Sequence, residues 1–298
     1  MIRYYMSLAL FLPVLALAPF PVPPPPKKLS PADRLRAATK DTQFVNSLGL
    51  EFVPLPGKPG VYMCRTETRV RDFEAFVNAS GYNATGGGVT LESGRWKQAG
   101  GTWLNPRFPA SCAQTGDHPV NCVSWEDSKA FCAWLSGKTE EKELSYRLPS
   151  DSEWSSAAGV GRYPWGSQFP PPANVGNYAG KEANIGGWSN NRTISNFNDG
   201  SPRTARVGSY LENRFGFFDL GGNVFEWCED RHRSWMNDAD VDPGLKIEVS
   251  PNGVPYRVFR GGAWESDNEI VVRTSFRGFN LPTYRAVGVG FRCVLVGK

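Results

Sequence analysis

The chain has 298 residues, 40% of them hydrophobic and 21% charged, with a net charge of +4, which is the composition of a globular protein rather than a disordered or fibrous one. Lys and Arg are scattered and no long block of like charges occurs, so a nucleic-acid partner is not expected. With 32 Gly, 24 Pro, 10 Trp and only two His (His118 and His232), the composition predicts a loop-rich fold pinned by aromatic residues and excludes a zinc site built on several histidines.

At the amino end, Arg3 precedes an apolar run from Leu8 to Phe20 that contains the small-residue box Ala16-Leu17-Ala18. This is the pattern of a signal peptide, here residues 1–18. The run falls short of the roughly 20 apolar residues that span a bilayer, and Pro13 interrupts it, so no stable membrane span is expected. Pro19 directly after the box is a poor cleavage context, which leaves tethering by an uncleaved segment as the alternative. Residues 19–30 form a Pro-rich spacer, stiffened by polyproline geometry, and one domain is predicted from 31 to 298. Export to the periplasm or the cell exterior suits the six cysteines, Cys64, Cys112, Cys122, Cys132, Cys228 and Cys293, an even number read as disulfides in an oxidising compartment. No C-x-x-C pair is present, and the spacing alone leaves every pairing open.

Phe44 to Pro54 reads as a strand pair turning at Asn46-Ser47, and Val61 to Thr66 as a further strand. Val70, Phe73, Phe76 and Val77 recur at helical spacing within a helix from Thr68 to Ser80, stopped by Gly81. A second helix opens at Ser124 with Asp127 three residues on, buries Phe131, Trp134 and Leu135, and ends at Gly137. A short third one opens on the capping box Ser150 with Glu153 and ends by Gly159. From Gly161 to Gly208 there is almost no periodicity, so something other than regular structure, a metal ion or aromatic packing, must fix this stretch. Strand-like alternation returns from Tyr256 to Gly262 and from Val287 to Val296.

Eight motifs follow one another along the chain: HPVNCVSWEDSKAFCAWLS (His118 to Ser136), YRLPSDSEWSSAA (Tyr146 to Ala158), YPWG (Tyr163 to Gly166), Ala173-Asn174, VGSY (Val207 to Tyr210), RFGFFDLGGNVFEW (Arg214 to Trp227), RGGAW (Arg260 to Trp264) and GFRC (Gly290 to Cys293). In this order they resemble the formylglycine-generating enzyme, or sulfatase-modifying factor, family from about Leu48 to the end. The resemblance implies a single irregular α+β domain with little regular secondary structure, distantly similar to the C-type lectin fold. It also implies two calcium ions. One would be held by Asn174 and Asp199 with carbonyls from Val175 and Ser201, the other by Asp219 and Glu226 with carbonyls from Gly222 and Val224. Mixed carboxylate and carbonyl oxygens from Gly-containing loops are what calcium prefers. By the same resemblance Cys132 and Cys293 stand where the family can place a disulfide. Cys112 and Cys122 are near enough in sequence for a local bridge, and Cys64 and Cys228 are left to pair or remain free.

The chain departs from the family at its chemistry. Active members resemble one another in two cysteine thiolates that hold Cu(I); here those positions are Ser266 and Val271, neither of which can ligate it. A family serine is Ala263 and a family asparagine is Gly288. Copper and formylglycine generation are therefore not expected. The sequence predicts an exported binding module for a secreted peptide, protein or glycan. The alternative is an enzyme of the same family, since cysteine-free relatives are linked to oxidative tailoring of secreted peptides, or a site where another cysteine substitutes. For an enzyme, Glu265, Asp267 and Glu269 are candidate general bases, His232 a candidate proton shuttle, and Trp188, Trp264 and Phe225 candidate groove walls.

Overall fold

The computed structural model describes residues 29–92, 95–184, 192–234 and 246–298; the predicted signal peptide and most of the spacer lie outside these, as does Trp188. Helix α1 (Pro31–Arg36) starts at the N-cap Ser30, whose hydroxyl accepts the Asp33 N–H. Strands β1 (Phe44–Val45) and β2 (Glu51–Pro54) are joined through Asn46, whose side-chain oxygen accepts the N–H groups of Leu48 and Leu50 and so replaces the backbone pairing lost in the turn. Strand β3 (Val61–Cys64) follows, then α2 (Val70–Ser80), closed by Gly81 in the left-handed conformation at φ 66°. Helix α3 (Trp125–Ser136) carries the Ser124–Asp127 capping box and α4 (Asp151–Ala158) the Ser150–Glu153 box.

The last strand, β11 (Val294–Gly297), returns to the middle of the first sheet, between β3 and β6 (Leu144–Arg147), giving the order β1-β2-β3-β11-β6 with every pairing antiparallel. A second sheet has the order β10-β7-β8-β9, from β7 (Phe225–Arg231), β8 (Arg257–Arg260), β9 (Gly278–Asn280) and β10 (Val289–Gly290), with β10 parallel to β7. A separate hairpin joins β4 (Gly88–Glu92) to β5 (Arg95–Gly101). This is an α+β architecture with short strands and few helices.

Helices α2 and α3 bury Phe73, Phe76, Phe131 and Leu135 against Phe291 and the first sheet; each such ring or aliphatic side chain contributes roughly 1.5–3 kcal/mol by leaving water. Helix α4 places Trp154 and Ala157 against Phe217, Leu220, Val258 and Val294 in a second core between the sheets. Between α4 and β7 the regular structure among the described residues is one short 3-10 turn, Lys181–Asn184. Aromatic packing holds this stretch: Tyr163 stacks on Trp165 at 4.9 Å, and Tyr163 and Tyr178 bury with Phe197 and Val272. Among the described residues no helix is long and apolar enough to cross a membrane.

Candidate functional site

The loop ahead of β7 turns sharply because Asp219, Gly222 and Asn223 all take left-handed backbones, and Gly222 lies so close to the Asn177 carbonyl that a Cβ there would sit 2.1 Å from it. This turn carries Asp219 and Glu226 into the interior beside Glu67. Glu226 is fully compensated: Arg292 donates to it twice, at 2.6 and 2.7 Å, and the Trp154 indole donates at 3.0 Å. Asp219 is not. The Gly208 N–H reaches one of its oxygens at 2.6 Å, while the other is buried without a partner. Burial pushes the Asp219 carboxyl up to about 6, against the pull of the Gly208 bond and of Arg292. Glu67, fully buried, rises well above the ordinary carboxylate range through burial and the charges of Asp219 and Glu226, even though Asn223 donates to it at 3.1 Å. Three carboxylates thus face one guanidinium.

Sequence reasoning named Asp219 and Glu226 as ligands but missed Glu67, which sits in an unremarkable Thr-Glu-Thr run just past β3. The unpartnered Asp219 oxygen is a donor that suits a cation, although among the described residues no group of three or more His, Cys, Asp or Glu is placed to hold a metal ion. The oxygens of Glu226 are already taken by Arg292 and Trp154.

The other expected set is spread along one segment. Asn174, left-handed at φ 63°, accepts the Leu211 N–H on its carbonyl, and Asp199 accepts from the Tyr178 and Ser201 N–H groups at 2.7 and 2.8 Å and from the Tyr210 hydroxyl at 3.4 Å. Burial lifts Asp199 to about 7, and Glu182 adds to the rise. Glu182, also missed in the sequence, has both carboxylate oxygens enclosed without a partner, and burial raises its pKa. The two sets meet at Tyr178, whose buried hydroxyl has no partner and feels the charge of both Asp219 and Asp199.

At the family copper positions, Ser266 and Val271 are neighbours: a Cβ on Gly262 would lie 3.3 Å from the Ser266 hydroxyl and 3.6 Å from the Val271 carbonyl. The Ser266 hydroxyl is occupied, accepting the Ala263 N–H at 2.9 Å. Two thiolates are what Cu(I) requires, so these residues do not fit copper. Glu265 fills the space instead. Part of the residue reaches the surface, but its carboxylate is enclosed, with one oxygen lacking a partner and the other so close to Gly288 that a Cβ there would be 1.9 Å away. Glycine at 288, where the family has asparagine, is thus the condition for this placement. Burial pushes Glu265 up to about 7; nearby Asp267 adds to the rise and Arg203 opposes it. The other two acids differ. Asp267 accepts from the Asn268 amide at 2.8 Å, and half-exposed Glu269 is paired with Arg273 at 2.8 Å and Arg162 at 3.4 Å.

Trp264 is a packing residue rather than a groove wall, 1% exposed, with its indole donating to the Val287 carbonyl and the Arg203 guanidinium 4.8 Å above its ring. Phe225 packs edge-on to Phe259 at 5.0 Å. His232 is buried, stacked on Phe279 at 3.9 Å and bonded to Glu248 at 3.0 Å, so it is held in place on its own side of the second sheet rather than lying on the surface. All six cysteines are free thiols. The sulfurs of Cys132 and Cys293 lie 3.6 Å apart in the core, in contact but beyond the roughly 2.05 Å of a disulfide. Cys112 and Cys122 are not bridged, and Cys64 and Cys228 are buried in different cores.

Residues 58–296 match the sulfatase-modifying factor enzyme 1-like domain. The formylglycine-generating enzyme of Mus musculus is 30% identical over 264 residues, 78% of this chain and 65% of that protein, so the chain spans somewhat under two thirds of the mouse enzyme's length. The inactive C-alpha-formylglycine-generating enzyme 2 of Bos taurus is 30% identical over 200 residues, 64% of this chain and 55% of that protein. Among solved structures, PvdO from Pseudomonas aeruginosa superposes with a TM-score of 0.59 at 26% identity, covering 79% of this chain and 80% of that one.

Proposed function

Because the chain belongs to the sulfatase-modifying factor enzyme 1-like family, we propose that it is an exported, calcium-stabilised member that binds a secreted peptide, protein or glycan and has given up copper-dependent formylglycine generation. The observation that carries this reading is the exchange at the copper positions: Ser266 and Val271 offer no thiolate, and the Glu265 carboxylate occupies the space that Gly288 opens. Calcium would be held by the unpartnered oxygen of Asp219 with the Glu67 carboxylate at one site and by Asp199 with Asn174 at the other, and its charge would neutralise these buried carboxylates. Export is supported by the signal-like run of residues 1–18, and an oxidising compartment would allow the adjacent Cys132 and Cys293 thiols to close into a disulfide.

A second reading has one observation in its favour. An enclosed carboxylate raised to about 7 suits a general base, so an enzyme acting through Glu265 rather than copper is the alternative. The first test is direct: protein loaded with Cu(I) and incubated under oxygen with a cysteine-containing sulfatase-type peptide is expected to leave the peptide mass unchanged. Aldehyde formation above that of a Cys293→Ser control would overturn the proposal by showing that another cysteine pair serves the metal.

A further inference from the structure

A cleft of about 990 Å³ opens between α4 and the later part of the loop after β8, and its wall is cationic. At its base the buried Arg260 and Arg277, whose side chain is 5% exposed, share the single carboxylate of Asp151: Arg277 donates to it at 2.9 and 3.1 Å, and Arg260 also donates to it. Two guanidiniums on one carboxylate leave a positive surplus, which Asp230 offsets in part by accepting the Asp151 N–H. Further bonds lock Arg260 to the Phe276 and Thr274 carbonyls, so the base is rigid before any ligand arrives.

The rim adds Lys58, Arg162 and Arg273. Among the described residues Lys58 has no carboxylate partner and reaches the Ser152 hydroxyl at 3.5 Å. Arg162 and Arg273 share one acid, Glu269, and the Arg273 Nε is buried without a partner. Ser152, Ser155 and Ser156 of α4 line the same space, the Ser156 hydroxyl donating to the Ser152 carbonyl and the Ser155 hydroxyl accepting from Arg260. Guanidiniums in excess of carboxylates and the Lys58 ammonium together make a donor surface turned towards several acceptor oxygens at once. A tetrahedral oxyanion has that number of acceptors and a lone carboxylate does not. The volume exceeds that of a bare ion and leaves room for the group to which it is esterified.

We propose that this cleft binds the phosphate or sulfate group of a monoester ligand, with Arg162, Arg273 and Lys58 contacting the oxyanion and the Arg260–Arg277–Asp151 clasp holding the floor. Glu269 competes with the ligand for the rim guanidiniums. The site is separate from the copper positions and does not depend on how Glu265 is read.

The test is calorimetry and thermal melting of the full chain with inorganic phosphate and, in parallel, inorganic sulfate, ionic strength being held constant with chloride. Both wild-type titrations are expected to show saturable binding. Combined Lys58→Ala, Arg162→Ala and Arg273→Ala should weaken it at least tenfold, and Glu269→Gln should tighten it severalfold by freeing both guanidiniums. Preference for phosphate over sulfate, or the reverse, assigns the ester. Absence of binding beyond the chloride control, or equal affinity in the triple variant with its circular dichroism unchanged, would overturn the site. Weaker binding in Glu269→Gln would also overturn it, because the acid would then be a support for the ligand rather than its competitor.

Discussion

Two loops of this molecule bury acids in opposite ways. The loop ahead of β7 sends Glu226 into a bidentate contact with Arg292 and a third bond from Trp154, whereas the loop after β8 sends Glu265 into an enclosure with no bond to one oxygen. In the first loop, burial is matched by charge, and what remains uncompensated, Asp219 and Glu67, is a donor set suited to a cation. Around Glu265 the match is chiefly steric: Gly288 makes room for a carboxylate whose attraction to Arg203 does not offset its burial. The comparison teaches that compensated acids serve the fold and that an uncompensated one is kept at a cost, which is where function is to be sought.

The sharpest way to break this contrast is to remove the compensation. Arg292→Met leaves the buried Glu226 carboxyl without its guanidinium partner beside Asp219 and Glu67, and breaking such a pair from one side costs about 3–5 kcal/mol. Urea unfolding should show that loss in the single variant and a much smaller one in Arg292→Met combined with Glu226→Gln. If the single variant lost less than about 1 kcal/mol, the loop would be held by its backbone turns and the compensation argument would fall.

Calcium comes next in size. Binding to the native state alone adds about 2.7 kcal/mol when the ion is at a hundred times its dissociation constant, which raises the melting midpoint by several degrees. Chelation should remove that gain. Asp219→Asn should remove the part of the calcium response that this site supplies while leaving the calcium-free protein no less stable at neutral pH, because an acid raised to about 6 by burial is disfavoured there in its ionised form. A variant that still responds fully to calcium would move the ion away from this loop.

The sequence was readable where local chemistry decides. The boxes at Ser124 and Ser150 and the cap at Gly81 mark helix ends by hydrogen bonds and backbone geometry within a few residues, and the structure has them. Strand β7 was not visible because its residues do not alternate; Glu226, Trp227 and Cys228 are all buried, packed on both faces. Strands β4 and β5 escaped for another reason, since Gly and Lys fill β5 where an apolar face would have signalled it. Motif order located Asp219, Asp199 and the altered copper positions. It could not show Glu67 or Glu182, because their importance lies in contacts across 156 residues, as with Asn223, or in burial beside Asp199. Nor could spacing separate Glu265 from Asp267 and Glu269; only the enclosure by Gly288 and the pairing of Glu269 with two arginines does so.

The smallest effect, and the most specific, concerns Glu265 itself. Its carboxyl stands at about 7 in the folded protein and near the ordinary 4.5 when unfolded, so between those values the native state holds the extra proton. Stability therefore falls as pH rises through that window, by at most about 1.4 kcal/mol per pH unit, and the penalty is complete above 7 and absent below 4.5. Asp199 and Asp219 add slopes of the same sign, since both are raised as well. Saturating calcium would hold those two ionised and flatten their share, leaving the slope of Glu265. Under those conditions Glu265→Gln, which keeps the shape and removes the charge, should match the wild type at pH 4.5 and exceed it above pH 7 by about 1–2 kcal/mol, solvent access having trimmed the ideal value. Parallel curves across the whole range would mean that water reaches the carboxylate freely. In that event the exchange of asparagine for Gly288 would be a packing change alone, and the distinction between the two loops would no longer point to a site.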